Sequence, residues 1–252
     1  MDNSGGRAVD DQHWLGLQQW YLTPLGQLFA ETQTAHLASV LTPLFGQHLL
    51  VLGVPLNEAV FFGSTIPHRI HLYWPQSAGT AGDVLVKPTE LPIAKECIDV
   101  AILCHALEFL PEPYAVLQEI DRVLIAGGHV LIAGFNPYSL WNIKRWLGFN
   151  HQLQGGRPIS VPQLQRWLAR IDCEVMALRY GFYRPPLTSL AMLQKLAFME
   201  RLGARWWPML GSGYVVLAKK RVIPLTPLKM HWRVRRYALP VGVNQPSCGN
   251  RM

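Results

Sequence analysis

Apolar and polar positions predict two helices followed by buried strands at the start of the chain. Apolar side chains recur every three or four residues through the first 45 residues, which indicates an amphipathic helix that is broken near Pro24 and a second helix over 27–41. We expect both helices to cover or buttress the first strand. The apolar run 47–53, closed by glycine, predicts a strand buried on both faces, and residues 69–74 predict the next strand.

From residue 83 onward, short apolar runs alternate with amphipathic segments. We predict strands over 83–86, 99–104, 129–133, 173–179 and 213–219, and helices over 113–124 and 160–170. This alternation is typical of an α/β fold, a Rossmann-like, doubly wound and mostly parallel sheet, here with seven strands. The pair Gly127-Gly128 predicts a tight turn from the preceding helix into the next strand.

Composition favours one globular α/β protein without a metal centre. Half of the residues are hydrophobic, enough to fill a sizeable core. The 4 cysteines form no CxxC pair and no His/Cys cluster, so we expect neither a metal site nor a disulfide framework, which fits a reducing cytoplasm. We expect no signal peptide and no transmembrane segment, because the longest apolar stretch, 123–135, is broken by glycines and is shorter than a bilayer span.

Charge is distributed unevenly along the chain. The net charge is +7, yet residues 201–252 hold ten Lys or Arg residues and no acidic residue. We therefore predict three parts: a helical extension over 1–45, an α/β domain over 46–221, and a basic, proline-containing and disordered tail over 222–252. Such a tail attracts an anionic partner, a nucleic acid or a membrane surface, although it can equally be a solvated tail that aids solubility.

One group of motifs resembles a known family. The segments concerned are Glu90-Leu91-Pro92-Ile93, then 97–110 (CIDVAILCHALEFL), 119–124 (EIDRVL) and 127–132 (GGHVLI). In order and spacing they are similar to the core of the class I S-adenosylmethionine (SAM)-dependent methyltransferases of the type 11 kind, in an uncharacterised bacterial branch. The resemblance implies the class I methyltransferase fold and transfer of a methyl group from SAM to an acceptor. The acceptor stays open between a small metabolite, a quinone precursor, RNA and protein.

The resemblance also implies where the cofactor binds, namely the crevice at the carboxyl ends of the strands. The positions that match this crevice are Gly53, Trp74, Lys87, Pro88, Cys104 and His105. The sequence departs from the family pattern at three of the cofactor contacts. Gly53 is the sole glycine left in the turn 52–57, Trp74 replaces the carboxylate that accepts the ribose hydroxyls, and Lys87 replaces the aspartate that accepts the adenine amino group. The alternative function is therefore a methyltransferase-like domain that has lost SAM binding and acts as a binding or scaffold module.

Several other residues carry two interpretations each. His105 is a candidate general base or a structural histidine at a strand end, and Trp74 stacks on adenine or packs in the core. Glu108 and Asp121 are expected to solvate helix faces or form surface pairs. The segment 136–139 follows a strand at the edge where the family places the acceptor. For the basic aromatic run 141–147 the alternatives are packing in the core, covering the active site, or contacting a membrane or a nucleic acid.

Overall fold

The computed structural model describes residues 4–73, 84–139, 141, 156–186 and 190–222. Within these residues the strands are β1 (His48–Gly53), β2 (His68–Tyr73), β3 (Val84–Leu85), β4 (Ile98–Cys104), β5 (Leu124–Phe135), β6 (Cys173–Gly181) and β7 (Gly213–Lys220). The helices are α1 (Ser4–Tyr21), α2 (Pro24–Leu41), α3 (Ala106–Phe109), α4 (Pro113–Val123), α5 (Val161–Arg170), α6 (Leu190–Lys195) and α7 (Phe198–Trp206). Two 3-10 turns, Glu58–Phe61 and Pro208–Leu210, complete the elements.

The described strands form one seven-stranded sheet in the order β3-β2-β1-β4-β5-β7-β6. β1 to β5 pair in parallel, whereas β7 runs antiparallel to both of its neighbours, β5 and β6. The central strands β1 and β4 are buried along nearly their whole length, as expected for strands covered on both faces. The predicted Rossmann-like, mostly parallel seven-stranded sheet is therefore confirmed.

Of the two N-terminal helices, α2 packs on the sheet, and α1 packs on α2 and α3 and reaches the end of β5 through Trp20. Trp14, Leu17 and Trp20 of α1 are buried, and so is the apolar face of α2. α2 begins at Pro24 and not at residue 27, because Thr23 caps it: the Thr23 hydroxyl accepts a hydrogen bond from the Gly26 amide at 3.1 Å. Proline suits the first helical position, since its missing amide has no helical partner there.

The prediction of a turn at Gly127-Gly128 is wrong. β5 begins at Leu124, immediately after α4, and the two glycines lie inside the strand. The register between β4 and β5 shifts there, between Ile98 and Val100, and Gly127 adopts a φ of +80°. The glycines therefore form an irregularity within a strand, where a positive φ is needed to continue the pairing beyond the bulge.

Residues 1–222 form one compact unit, and residues 223–252 form a second. The second unit, which contains nearly all of the predicted basic tail, lies outside the described residues. Among the residues that are described, no helix combines the length and the apolar character needed to cross a bilayer.

Two histidines make the stability of this fold depend on pH. Burial and then Lys219 lower the pKa of His129, and burial and then Arg179 lower the pKa of His36. The unfolded chain therefore takes up these protons at about pH 6.5 while the folded chain resists them, so acid favours unfolding. We expect the free energy of unfolding, measured with urea, to fall as the pH drops below about 6.5.

A His36→Gln/His129→Gln variant should flatten this dependence. Lys219→Gln should flatten it only in part, since burial is the larger cause at His129. Glu119 contributes in a separate window, because its Arg122 partner lowers its pKa and protonation weakens that pair only below about pH 4.5. An unchanged slope between pH 7.5 and 5.5 in the double histidine variant would contradict this account.

Candidate functional site

A cavity of about 280 Å³ lies at the carboxyl ends of β1 and β4. These strands are neighbours at the point where the order of the sheet reverses, since β2 and β3 lie on one side and β5 lies on the other. Ligands of open α/β sheets bind in this crevice. The end of α1 and one face of α2 form one side of the cavity, which is lined by Tyr21, Ala30, Gln33, Thr34, Val54, Pro55, Leu56, Asn57 and Cys104.

Gly53 sets the close approach of the two strands at the base of the cavity. Gly53 pairs with Cys104, and the Val54 amide donates to the Cys104 carbonyl at 3.0 Å. Gly53 has a φ of +126°, and a Cβ atom built on it would lie 1.9 Å from the Cys104 carbonyl oxygen. Its conformation is therefore required by the packing of β1 against β4, and the side chains of the next residues form one wall of the cavity.

A chain of buried hydrogen bonds lies behind the cavity. The Gln33 amide nitrogen is 2.9 Å from His105 Nε2, and His105 Nδ1 is 2.8 Å from the Glu108 carboxylate. The Gln33 carbonyl oxygen accepts from the Tyr21 hydroxyl at 3.0 Å and faces the Cys104 thiol at 3.9 Å. Because those two groups donate to the oxygen, the Gln33 amide nitrogen donates to Nε2, and His105 carries its proton on Nδ1.

The prediction that Glu108 solvates a helix face is wrong. Glu108 is buried, and its second carboxylate oxygen accepts a hydrogen bond from the Phe135 amide at the end of β5. The physical reason is the backbone of His105, whose φ of +53° turns the chain sharply after β4 and directs the short α3 back into the protein. Asp121, by contrast, forms an ion pair with Lys220 at 3.1 Å.

Glu108 also affects the groups that line the cavity. Burial and then the negative charge of Glu108 raise the pKa of the Cys104 thiol above its usual range. Burial, Cys104 and Glu108, in that order, raise the pKa of the Tyr21 hydroxyl. Both groups are therefore neutral at physiological pH, and a buried thiol of this kind is not a nucleophile.

The structure brings three of the predicted cofactor residues together and leaves two apart. Gly53 and Cys104 pair at the base of the cavity, and His105 lies directly behind them. Lys87 is exposed and forms an ion pair with Glu90 at 2.6 Å, while Pro88 is buried; neither lines the cavity. Trp74 lies outside the described residues.

In the segment 136–139, which follows β5, the first residue holds the chain segment that precedes β7 in place. The buried Asn136 side chain donates to the carbonyls of Met209 and Gly211 at 2.7 and 2.9 Å, so it fixes the chain just before β7. Tyr138 is exposed at the same edge of the sheet. Trp141 is buried in the core, as one of the two interpretations of the run 141–147 predicts, and the rest of that run lies outside the described residues.

Sequence reasoning missed Tyr21 and Gln33 as site residues. A signal for Gln33 was present, because Phe29, Gln33 and Leu37 follow one another at intervals of four and share one face of α2. A lone amide on an otherwise apolar helix face needs a buried hydrogen-bonding partner. The partner, His105, is 72 residues away along the chain, so only the fold identifies it.

The strand order and the crevice at the carboxyl ends of β1 and β4 are those of the class I methyltransferase fold. Residues 74–132 match the methyltransferase domain family. The chain is 27% identical over 231 residues to the uncharacterized protein YafS of Escherichia coli strain K12. The aligned region covers 90% of this chain and 91% of that protein.

Solved structures with the same fold come from distant proteins. A SAM-dependent methyltransferase from Thermotoga maritima has a TM-score of 0.56 at 13% identity, covering 83% of this chain and 100% of the other. A SAM-dependent methyltransferase from Archaeoglobus fulgidus has a TM-score of 0.51 at 16% identity, covering 76% and 94%. At these identities the likeness establishes the fold.

Proposed function

We propose that this protein is a SAM-dependent methyltransferase that binds SAM in the cavity at the carboxyl ends of β1 and β4. The observation that carries the proposal is the position of this cavity at the switch point of a class I methyltransferase sheet, beside a methyltransferase domain match over residues 74–132. The similar Thermotoga and Archaeoglobus structures are SAM-dependent methyltransferases, which supports the same cofactor here. The acceptor is a separate molecule whose class the site does not define.

The described residues fit the cofactor in size and in polarity. The volume of about 280 Å³ is near the lower end of small-molecule pockets, so bound SAM would extend toward the open side. Thr34 and Asn57 offer hydrogen-bonding groups at the rim, and Gly53 with Cys104 forms the floor. Among the described residues that line the cavity none is a carboxylic acid.

The buried carboxylate of Glu108 favours a cationic ligand. Its negative charge contributes to the raised pKa of Cys104 and Tyr21, both of which line the cavity, so its field reaches the cavity wall. In a low-dielectric interior the attraction between such a carboxylate and a positive charge is stronger than the same attraction in water. The sulfonium of SAM is a positive charge of this kind.

The chain's own residues would act by positioning and by excluding water. When bound, SAM supplies an electrophilic methyl group, and transfer then requires an acceptor held in line with it. Tyr21 of α1 and Ala30, Gln33 and Thr34 of α2 line the cavity and would shield one side of a bound ligand from solvent. His105 already accepts a hydrogen bond from Gln33 on Nε2, so we assign His105 and Glu108 a positioning role that holds Gln33 and Tyr21 against the cavity, and not that of a general base.

A variant that fills the cavity tests the proposal. Thr34→Phe places an aromatic ring in the cavity from the half-buried face of α2 without touching the strands. We expect the purified protein to bind SAM or S-adenosylhomocysteine in a calorimetric titration, and Thr34→Phe to weaken that binding at least tenfold, or about 1.4 kcal/mol.

The matched control is Ala35→Phe, which adds the same ring to the exposed face of the same helix and should bind like the parent protein. Absence of binding by the parent protein to both ligands at millimolar concentration would refute the enzyme and leave the binding or scaffold module. Equal loss in both variants would show that the change acts through the helix and not through the cavity.

A further inference from the structure

A cluster of exposed apolar side chains covers α7 and the 3-10 turn that follows it. We call it the α7 surface; its members are Phe198 (55% exposed), Leu202 (45%), Trp206 (67%), Trp207 (60%), Met209 (69%) and Leu210 (37%). Single exposed apolar residues are ordinary on proteins, whereas a contiguous group that includes two tryptophans marks an interaction site.

α7 is held to the protein by its polar side. Glu200 faces inward, where its carboxylate accepts from the Tyr183 amide at 3.2 Å and forms an ion pair with Arg184 at 3.2 Å. Gly203 packs against the Tyr183 ring so closely that a Cβ atom would lie 2.3 Å from it. The helix is therefore inverted relative to an ordinary surface helix, with its polar contact buried and its apolar side chains in solvent.

The charges around the α7 surface are positive. Lys195, Arg201 and Arg205 are exposed, and within the described residues no carboxylate forms an ion pair with any of them. Glu200, the acidic residue of α7, is already compensated by Arg184. The face that α7 presents to its surroundings thus combines bulky apolar side chains with uncompensated cations.

The α7 surface lies at the same edge of the sheet as the candidate site. Residues 182–212 connect the end of β6 to the start of β7, and both of these ends are at the edge where β4 and β5 terminate. A second cavity of about 310 Å³ opens in the surface. It is lined by Tyr183, Phe198, Met199, Leu202, Gly203, Trp207 and Leu210. Its walls are apolar, which suits a hydrocarbon chain better than water.

We propose that the α7 surface docks on an anionic lipid bilayer. Tryptophan side chains are suited to the headgroup level of a membrane, and arginines beside them pair with lipid phosphates. A helix with these features lies in the plane of the interface with its apolar side chains in the acyl boundary. A nucleic acid would pair with the arginines but would leave Leu202, Met209 and Leu210 without an apolar partner. An anionic bilayer offers partners to both the positive charges and the apolar side chains, so we favour the bilayer.

The test is sedimentation of the purified full chain with vesicles. Vesicles of phosphatidylglycerol and phosphatidylcholine should bind the protein, and vesicles of phosphatidylcholine alone should bind it at least about twentyfold more weakly, since Arg201 and Arg205 each contribute a factor of about five near an anionic surface. Trp206→Ser/Trp207→Ser and, separately, Arg201→Gln/Arg205→Gln should each reduce binding to the anionic vesicles at least tenfold.

Matched controls exist on other faces of the protein. Phe45→Ser/Phe62→Ser removes two exposed aromatic rings elsewhere, and Arg166→Gln/Arg170→Gln removes two exposed arginines at the same spacing on α5. Both controls should bind vesicles like the parent chain. Undiminished binding by the tryptophan variant would overturn the proposal and assign membrane binding to another part of the chain, and so would the absence of binding by the parent protein.

Discussion

Gly53→Ala should lower the free energy of unfolding by at least about 4 kcal/mol, which is more than most single substitutions cause. Two effects add at this position. The added methyl group would lie 1.9 Å from the Cys104 carbonyl oxygen, which is backbone in the centre of the sheet and cannot move aside. A φ of +126° also lies in a region that L side chains rarely adopt. Urea unfolding of the variant and the parent chain measures the difference.

Gly127→Ala is the matched control for this prediction. Gly127 also has a positive φ, of +80°, but the nearest atoms to an added Cβ are side-chain carbons at 3.6 and 3.9 Å. We expect a loss of only about 1–2 kcal/mol, the cost of the left-handed conformation alone. Equal losses in the two variants would show that strand packing does not constrain Gly53. The reason for a glycine at this position would then be close contact between its backbone and a ligand.

Glu108→Ala should lower the free energy of unfolding by about 3–5 kcal/mol. The change leaves the Nδ1 proton of His105 and the Phe135 amide without their acceptor, and both are donors in the interior. Glu108→Gln keeps one acceptor oxygen and should lose less than Glu108→Ala. The measurement is again urea unfolding at neutral pH.

Glu58→Ala provides the comparison at the surface. Glu58 forms an ion pair with Arg69 at 3.4 Å, but its side chain is 72% exposed, so water screens the pair. We expect a loss below about 1 kcal/mol. If Glu108→Ala were as mild as Glu58→Ala, the chain of hydrogen bonds from Gln33 to Phe135 would contribute little to the fold, and its positioning role at the cavity would lose its physical basis.

The departures from the family pattern acquire a physical meaning in this structure. The turn after β1 keeps the glycine that strand packing requires and replaces the others with residues whose side chains line the cavity. Lys87 pairs with Glu90 in solvent and does not contribute a charge to the cavity. Glu108 lies behind Cys104, and its negative charge, after burial, raises the pKa of that thiol. Among the described residues, none that lines the cavity is a carboxylic acid.

The sequence by itself determined the class of fold and the succession of its strands along the chain, whereas their order within the sheet is known from the structure. Apolar runs such as 47–53 and 99–104 are long enough and uninterrupted enough to predict buried parallel strands, which is why β1 and β4 fall within one residue of the predictions. The motif segments between residues 90 and 132 also lie within the match to the methyltransferase domain family, and they could be recognised because their spacing is local in the chain. Boundaries were less exact where capping decided them, as at Thr23 and Pro24.

Only the tertiary structure decided which side chains meet. Gln33 lies 72 residues before His105, and Glu108 lies 27 residues before Phe135, so no local pattern reports these contacts. The inward direction of Glu108 follows from one left-handed residue, His105, and the outward direction of Trp206 follows from the anchoring of Glu200 on the opposite side of α7. A sequence states which residues are apolar or charged, whereas burial and hydrogen bonding depend on chain segments that only folding brings together.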